Sequence, residues 1–155
     1  MTMGPVSSAR TWRSIDTPVV AATSPQNASS RRREVSLRAA KYAAALKDIC
    51  ETAVVRPNCR HSFNYYTIRF VSKAVRDNAQ KVLTERGIAS QIYYPVSLHL
   101  QKAYARLGYK PGDLPVSERT QDLVLSLPMF PELTADQVRT VTKAIKAAVS
   151  ARVAG

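Results

Sequence analysis

The densest group of side chains that could do chemistry lies in the segment Tyr93–Gln101, which reads YYPVSLHLQ. Two tyrosines end an apolar stretch, Pro95 stops it, and His99 follows five residues after Tyr94. Hydroxyl and imidazole groups at the end of a strand can reach a ligand, because side chains leave the core there. We therefore take His99, Tyr94 and Tyr93 as candidate binding residues, and His99 and Tyr94 could donate to a hydroxyl or a phosphate. A histidine in a loop is more often an ordinary polar residue, so the pattern alone leaves both interpretations open.

The other chemical motifs are weaker. His61 stands two residues after Cys59, but a metal site would need a second pair of ligands at suitable spacing, and the sequence offers none. It also has no Gly-rich phosphate loop, no nucleophile elbow and no paired-carboxylate motif. Asp113 and Glu118 are explained as a loop acid and a helix N-terminal acid. The residue types therefore predict no catalytic residue and no metal site.

The composition fits one folded domain with a strongly basic balance. The chain has 155 residues, 45% of them hydrophobic, which is enough for a buried core. Its 23 Lys and Arg residues against 11 Asp and Glu residues give a net charge of +12. Such a charge suits a nucleic acid, an anionic ligand or merely a soluble surface. No apolar run could span a membrane, and Cys50 and Cys59 form no disulfide framework, so we expect a cytoplasmic protein without a membrane partner.

The elements that must position these residues begin after a leader. Residues 1–29 show no sustained period, so we predict a disordered leader followed by one domain over residues 30–155. Ser30 is the expected N-cap of a helix that fades near Cys50. Its apolar face recurs at spacings of three and four residues, as one side of a helix does. That face consists of Val35, Ala39, Tyr42, Leu46 and Ile49.

Three short segments predict strands. They are Phe63–Val71 (FNYYTIRFV), Ile88–Tyr94 and Leu125–Met129, and the first is rich in aromatic and β-branched residues. Alternation along the first strand predicts one face with Tyr65 and Thr67 and an opposite face, more apolar towards its C-terminal end, with Tyr66, Ile68 and Phe70. Further helices are predicted over residues 77–86, 98–107, 117–124 and 134–152, with capping boxes at Asp77/Gln80 and Thr134/Gln137 and an N-cap at Ser117. Short strands interleaved with helices predict a small two-layer α+β domain with a roughly three-stranded sheet.

The aromatic first strand also resembles the sheet of RNA-binding domains, whose exposed rings stack on bases. Two observations argue against a nucleic-acid partner. The glycines of the RNA-binding strand motif are absent, and the basic residues are scattered, with Arg31–Arg33 as the only dense run. A basic RNA-binding domain therefore stays as an alternative only.

From Arg31 onward the order of segments resembles the C-terminal part of the DegT/DnrJ/EryC1/StrS family of pyridoxal-phosphate-dependent sugar aminotransferases. The resemblance covers about residues 31–150 and is strongest in the YPVSLHLQ and LSLPMFPELT runs. The matching segments are RRREVSLRAAKYAAAL, YYTIRF, RDNAQKVLTERGI, YYPVSLHLQKAYARLGYKPGDLPVSER and LVLSLPMFPELTADQV.

The resemblance implies the C-terminal small domain of a fold-type I aminotransferase, with its connecting helix. Such enzymes move an amino group, commonly from glutamate, to a keto group on a nucleotide-linked sugar, and the cofactor carries the chemistry. In the family, the histidine of the LHLQ run and the aromatic pair before the proline lie on the substrate side. The resemblance therefore implies that His99, Tyr94 and Tyr93 contact the nucleotide sugar and that they are not catalytic groups.

The departures from the family concern the cofactor. The family's Schiff-base lysine, its pyridine-pairing aspartate and most of its phosphate cup lie in a large domain before the matched part. None of the eight lysines here has that context, and residues 10–30 lack the family's Gly-x-Asn-x-Arg stretch. We therefore expect a truncated sugar aminotransferase that neither binds pyridoxal phosphate nor turns over alone, with a large-domain or homodimer partner. The alternative is a non-catalytic interaction module that docks on an aminotransferase.

Overall fold

The structure is a computed structural model that describes residues 25–153. Most of the predicted leader, residues 1–24, lies outside the described residues. The described part mixes helices with short strands, in agreement with the predicted α+β class. Its elements are α1 (Pro25–Leu46), β1 (Tyr66–Arg69), α2 (Lys73–Glu85), the 3₁₀ segments Leu98–Leu100 and Lys102–Leu107, α3 (Pro115–Leu123), β2 (Val124–Leu127) and α4 (Ala135–Val153).

The sheet is smaller than expected. β1 and β2 pair antiparallel, and within the described residues they are the two strands of the sheet. The predicted strand over 88–94 is wrong, since only Gln91 pairs with β2, through two hydrogen bonds of 2.9 and 3.0 Å to Ser126. The chain bends at Tyr93 and Pro95, and a proline has no N–H to extend a ladder. The third strand is therefore reduced to one bridge.

The core forms where helices cover one face of the sheet. Tyr66 and Ile68 in β1 are each only 1% exposed, whereas Thr67 between them is exposed, which confirms the predicted alternation. Tyr42 of α1 stacks on Tyr66 with ring centroids 5.0 Å apart, and its hydroxyl donates to the carbonyl of Pro128 at 3.1 Å. Each such buried side chain contributes about 1.5–3 kcal/mol relative to an exposed one, and this burial fixes α1 on the sheet.

Two helix starts differ from the sequence-based expectation. α1 begins at Pro25 and not at Ser30, in keeping with the fit of a proline to the first turn, so residues 25–29 of the predicted leader are helical. α2 begins after Ser72, whose hydroxyl accepts from the backbone N–H of Val75, so the predicted start at Asp77 is wrong. The capping box was a coincidence of residue types, because the carboxylate of Asp77 pairs with its neighbour in the helix.

The C-terminal helix follows its predicted signal. The N–H of Thr134 donates to the side-chain oxygen of Gln137 at 2.8 Å, and the N–H of Gln137 donates to the Thr134 hydroxyl at 3.2 Å. This is the reciprocal pattern of a capping box. Among residues 25–153, no helix has both the length and the apolarity that crossing a bilayer requires.

The stretch before α3 is less regular than predicted. The helix expected over 98–107 consists of two 3₁₀ segments, and it stops at Gly108, whose φ of 77° is the left-handed conformation that glycine tolerates. α3 starts at Pro115, so Ser117 lies inside the helix and is not its N-cap. Ser117 instead donates to the hydroxyl of Ser97 at 3.3 Å and so joins α3 to the irregular stretch.

Candidate functional site

Tyr93 belongs to a pair of half-exposed aromatic rings at the edge of the sheet. It packs on Tyr65, the residue before β1, with ring centroids 4.2 Å apart and an angle of 46° between the rings. Partial burial, followed by the neighbouring Tyr65 ring, raises the pKa of Tyr93, so its hydroxyl stays protonated and can donate at neutral pH. Tyr94 is 61% exposed and free to meet a ligand from solvent.

A shallow cleft of about 340 Å³ adjoins this pair. His61 lies at the cleft, where its Nδ1 accepts from the N–H of Phe63 at 2.8 Å and the two rings lie 4.3 Å apart. This hydrogen bond gives His61 a structural role that needs no metal ion, although Cys59 nearby is exposed. The cleft is lined by Ala53, His61, Ser62, Asn64, Tyr65 and Thr67.

His99 is placed differently from the two tyrosines. It lies in the first 3₁₀ segment and is only 7% exposed. Its Nε2 atom lies 3.1 Å from Oε1 of Glu118, in the first turn of α3. Its ring also meets the edge of Tyr109, with centroids 5.9 Å apart and an angle of 84°. His99 is therefore fixed by its contacts with Glu118 and Tyr109, and its Nε2 atom already has a hydrogen-bond partner.

The carboxylate of Glu118 accepts hydrogen bonds from several donors. The N–H of Gly112 lies 2.9 Å from both carboxylate oxygens, and the N–H of Leu114 lies 3.2 Å from Oε1. The hydrogen bond from the Gly112 N–H is the largest cause that lowers the pKa of Glu118, and the bonds from His99 and Leu114 lower it further. Desolvation acts in the opposite direction. We call the group His99, Gly112, Leu114 and Glu118 the carboxylate clasp. It connects the 3₁₀ segment, the following loop and α3.

A second polar connection holds the same segment on α3. The hydroxyl of Ser97 donates to the side-chain oxygen of Gln121 at 2.8 Å, and the backbone N–H of Ser97 donates to the same oxygen. Ser97 is 3% exposed, so these bonds satisfy a polar group that would otherwise be costly to bury. The backbone that carries His99 is therefore anchored just before the histidine.

The three predicted binding residues divide between two clusters. Tyr93 contacts Tyr65 at the sheet edge, while His99 lies in the carboxylate clasp, and Tyr94 projects into solvent. Sequence reasoning missed Tyr65 as a partner, although the alternation of the first strand already placed it on the outward face. It placed Glu118 correctly at a helix start but gave no sign that the carboxylate holds His99.

The lysines are all on the surface. Each of the eight lysines of the chain lies in the described part and is exposed. A lysine that forms a Schiff base is normally activated by desolvation or by a neighbouring cation. These lysines are Lys41, Lys47, Lys73, Lys81, Lys102, Lys110, Lys143 and Lys146.

A cleft of about 370 Å³ between α1 and α4 includes Lys41 and Arg139, but its other lining residues are Ala44, Ala45, Ala135, Val138 and Thr142. It offers cationic groups without a carboxylate that could pair with a pyridine nitrogen. Among the residues that line this cleft, none is an acid that could take that role.

The sequence profile of the DegT/DnrJ/EryC1/StrS aminotransferase family matches residues 25–146. The chain belongs to this family. The prediction made from the LHLQ and LSLPMFPELT runs is thereby confirmed.

Curated relatives of the family support the assignment. The chain is 44% identical over 111 residues to the pleiotropic regulatory protein of Geobacillus stearothermophilus. The alignment covers 69% of this chain and 29% of that protein. It is 34% identical over 122 residues to the dTDP-3-amino-3,4,6-trideoxy-alpha-D-glucose transaminase of Micromonospora megalomicea subsp. nigra. That alignment covers 77% of this chain and 32% of the transaminase.

The fold is similar to that of solved aminotransferases. The crystal structure of S. venezuelae DesV in complex with a ketimine intermediate matches 79% of this chain with a TM-score of 0.73 and 31% identity. The match covers 33% of DesV. The chain thus spans about a third of the length of the relatives it matches, and its structural neighbours are fold-type I aminotransferases.

Proposed function

We propose that this chain provides the small-domain, substrate-facing side of a nucleotide-sugar aminotransferase site, and that the 155 residues do not transfer amino groups by themselves. The family match and the transaminases among its relatives support the first part. The exposure of every lysine is the observation that carries the second part. The small domain, with α1 as its connecting helix, would then need a large domain to complete the site.

Amine chemistry explains why an exposed lysine is a poor partner for the cofactor. Pyridoxal phosphate is an aldehyde, and only a neutral amine attacks it to form a Schiff base. The ammonium form of a lysine has no lone pair for this attack, and desolvation or a neighbouring cation is what favours the neutral amine in a cofactor site. Surface lysines therefore react slowly and without selectivity, in contrast to a lysine enclosed by a cofactor site.

Tyr93, Tyr94 and His99 are the residues we propose as contacts of the nucleotide sugar. Tyr93 and Tyr94 present phenol groups at 46% and 61% exposure, so they are open to hydroxyl or phosphate oxygens of a ligand. His99 would contribute through the ring nitrogen that Glu118 does not occupy. We propose binding roles for all three and a catalytic role for none of them.

The test is a trapping experiment on the purified 155-residue chain. The protein is incubated with pyridoxal phosphate, reduced with borohydride and mapped by peptide mass spectrometry, with a full-length sugar aminotransferase of the family treated in parallel. We expect one stoichiometric labelled lysine in the full-length enzyme and only scattered, substoichiometric labels here. A single fully labelled lysine in this chain, together with amino transfer to a nucleotide-linked keto sugar, contradicts the proposal.

A second candidate function is a non-catalytic module that docks on an aminotransferase. One observation favours it: of the fourteen large hydrophobic side chains that are exposed in the described part of the chain, nine lie within residues 93–116, which we call the rim segment. Exposed apolar groups concentrated in this way are typical of an interaction surface. A separately produced large domain of a family relative should then co-elute with the chain, whereas the variant Leu107→Asp should co-elute less. Separate elution of chain and domain counts against docking.

The RNA-binding alternative loses support in the structure. Base stacking needs exposed rings on the sheet. Three of the aromatic side chains in and beside β1, those of Phe63, Tyr66 and Phe70, are at most 9% exposed and lie in the core. The fourth aromatic side chain there, that of Tyr65, is open to solvent. We therefore do not propose a nucleic-acid partner.

A further inference from the structure

We propose that Glu118 is a positioning residue, which fixes His99 in the tautomer with the proton on Nε2 and leaves Nδ1 as the hydrogen-bond acceptor for a ligand hydroxyl. The inference rests on the proposed function, because it specifies how His99 meets the nucleotide sugar. It assigns Glu118 no contact with the substrate.

The geometry of the carboxylate clasp determines the direction of each hydrogen bond. An ionised carboxylate has lone pairs and no proton, so it can only accept. Gly112 and Leu114 donate their backbone N–H groups to Glu118, and the third neighbour is Nε2 of His99 at 3.1 Å. These donors also lower the pKa of Glu118, which keeps it ionised at neutral pH. Nε2 must therefore carry a proton.

The surroundings of His99 hold its ring in one orientation. The side chain is 5% exposed and its ring lies edge-on to Tyr109, while Ser97 is tied to Gln121 just upstream. A ring flip would move Nε2 away from Oε1 of Glu118 and remove one of the donors of this carboxylate, and losing a hydrogen bond to a charged group is costly. The proton on Nε2 is thus maintained by packing as well as by the hydrogen bond.

This assignment narrows the ligand group that neutral His99 can recognise. A neutral imidazole with its proton on Nε2 can only accept at Nδ1. Ionised phosphate oxygens have no proton to give, whereas each sugar hydroxyl has one. Of the two partners considered from the sequence, a hydroxyl and a phosphate, the clasp favours the hydroxyl, which in the proposed substrate belongs to the sugar.

The test is nitrogen NMR of the histidine side chains in the full chain, at a pH where the rings are neutral. We expect His99 to show a protonated Nε2 with a slowly exchanging proton and an unprotonated Nδ1. An Nδ1–H tautomer in the unaltered protein overturns the proposal without any variant. The chain has two histidines, and His61, whose Nδ1 accepts from Phe63, serves as an internal reference.

Variants separate positioning from simple packing. Glu118→Ala should abolish the protected Nε2–H signal, allow some Nδ1–H tautomer, and speed amide exchange at Gly112 and Leu114 at least about tenfold. Glu118→Gln keeps a carbonyl oxygen at the Oε1 position and should retain the Nε2–H signal. The control is Asp113→Asn, which alters the neighbouring carboxylate that accepts from Lys110, and should leave His99 unchanged.

An Nε2–H signal that persists unaltered in Glu118→Ala contradicts the proposal. If that variant does not fold, the spectra of the unaltered protein and of Glu118→Gln decide. A separate titration with dTDP-glucose as the probe tests the proposed function, since hydroxyl contact should shift His99 Nδ1. An Nδ1 signal that stays unmoved while the signals of Tyr93 and Tyr94 shift overturns the substrate contact of His99, whereas the tautomer result alone tests the role of Glu118.

Discussion

The helix-covered sheet and the rim segment are stabilised in different ways. In the first region, large side chains such as Leu83, Tyr66 and Ile145 are nearly or completely buried. In the rim segment, the anchors are polar and the large apolar side chains remain exposed, as at Leu107, which is 56% exposed. A region that is held by hydrogen bonds and keeps its apolar side chains exposed is suited to bind another protein surface. The difference supports a division into a folding core and a binding rim.

The largest effect is expected when a leucine is truncated to alanine, and the two regions should respond differently to it. Leu83→Ala removes a completely buried side chain of α2 and should lower the free energy of unfolding by about 2–5 kcal/mol, since it leaves a cavity. Urea unfolding followed by circular dichroism measures the loss.

Leu107→Ala is the matched control in the rim segment. Its side chain is more than half exposed, so we expect a change within about 0.5 kcal/mol. Similar losses in the two variants would show that the rim segment is also part of the folding core, and the contrast between the regions would no longer hold.

The next test concerns the link between the two regions. Arg76 of α2 is 4% exposed, and its guanidinium donates to the carbonyls of Gln121 and Val124 at 3.3 and 3.4 Å, where α3 ends and β2 begins. Carbonyl groups in the last turn of a helix lack intrahelical partners, so these bonds satisfy them. Arg76→Met keeps much of the side-chain volume but should lower the free energy of unfolding by about 1–3 kcal/mol.

Arg86→Met provides the comparison, because Arg86 is exposed at the end of the same helix. Its unfolding curve should stay close to that of the unaltered protein. Equal stability of the Arg76 variant and the unaltered protein would mean that the remaining contacts of α3 hold it without this buried guanidinium.

The folding core was largely predictable because its signals are local. The helical spacing of Val35, Ala39, Tyr42, Leu46 and Ile49 predicted the buried face of α1. The first four are at most 9% exposed, whereas Ile49 lies beyond the end of the helix at Leu46 and is only partly buried. Alternation did the same for β1. The strand over 88–94 was predicted wrongly, because its residue types favour a strand whereas only Gln91 finds a partner in β2. Strand composition does not say whether the neighbouring backbone is within reach.

The site was predictable only as single residues. The YYPVSLHLQ run directed attention to Tyr93 and His99, but their partners, Tyr65 and Glu118, come from other elements of the chain. Both contacts depend on how β1 and α3 pack, which no local pattern encodes. The state of His99 therefore follows from a tertiary contact and could not follow from the motif.

The smallest expected effect is a pH dependence that comes from the rim segment. The clasp lowers the pKa of Glu118 below its ordinary value of 4.5, chiefly through the N–H of Gly112. A carboxyl group with a lower pKa in the folded state adds stability that is fully present above the unfolded value and is lost as the pH falls through the folded value. The stability advantage of the unaltered protein over Glu118→Gln should therefore be largest at neutral pH and shrink below pH 4.5, and it should be small because the carboxylate is partly exposed.

Urea unfolding over a pH series measures this advantage. Ser97→Ala is the control, and its loss of stability should not vary with pH, since neither Ser97 nor its partner Gln121 titrates. A difference for the Gln variant that stays constant across the series would separate Glu118 from the pH response and make its hydrogen bonds no different in kind from those of Ser97.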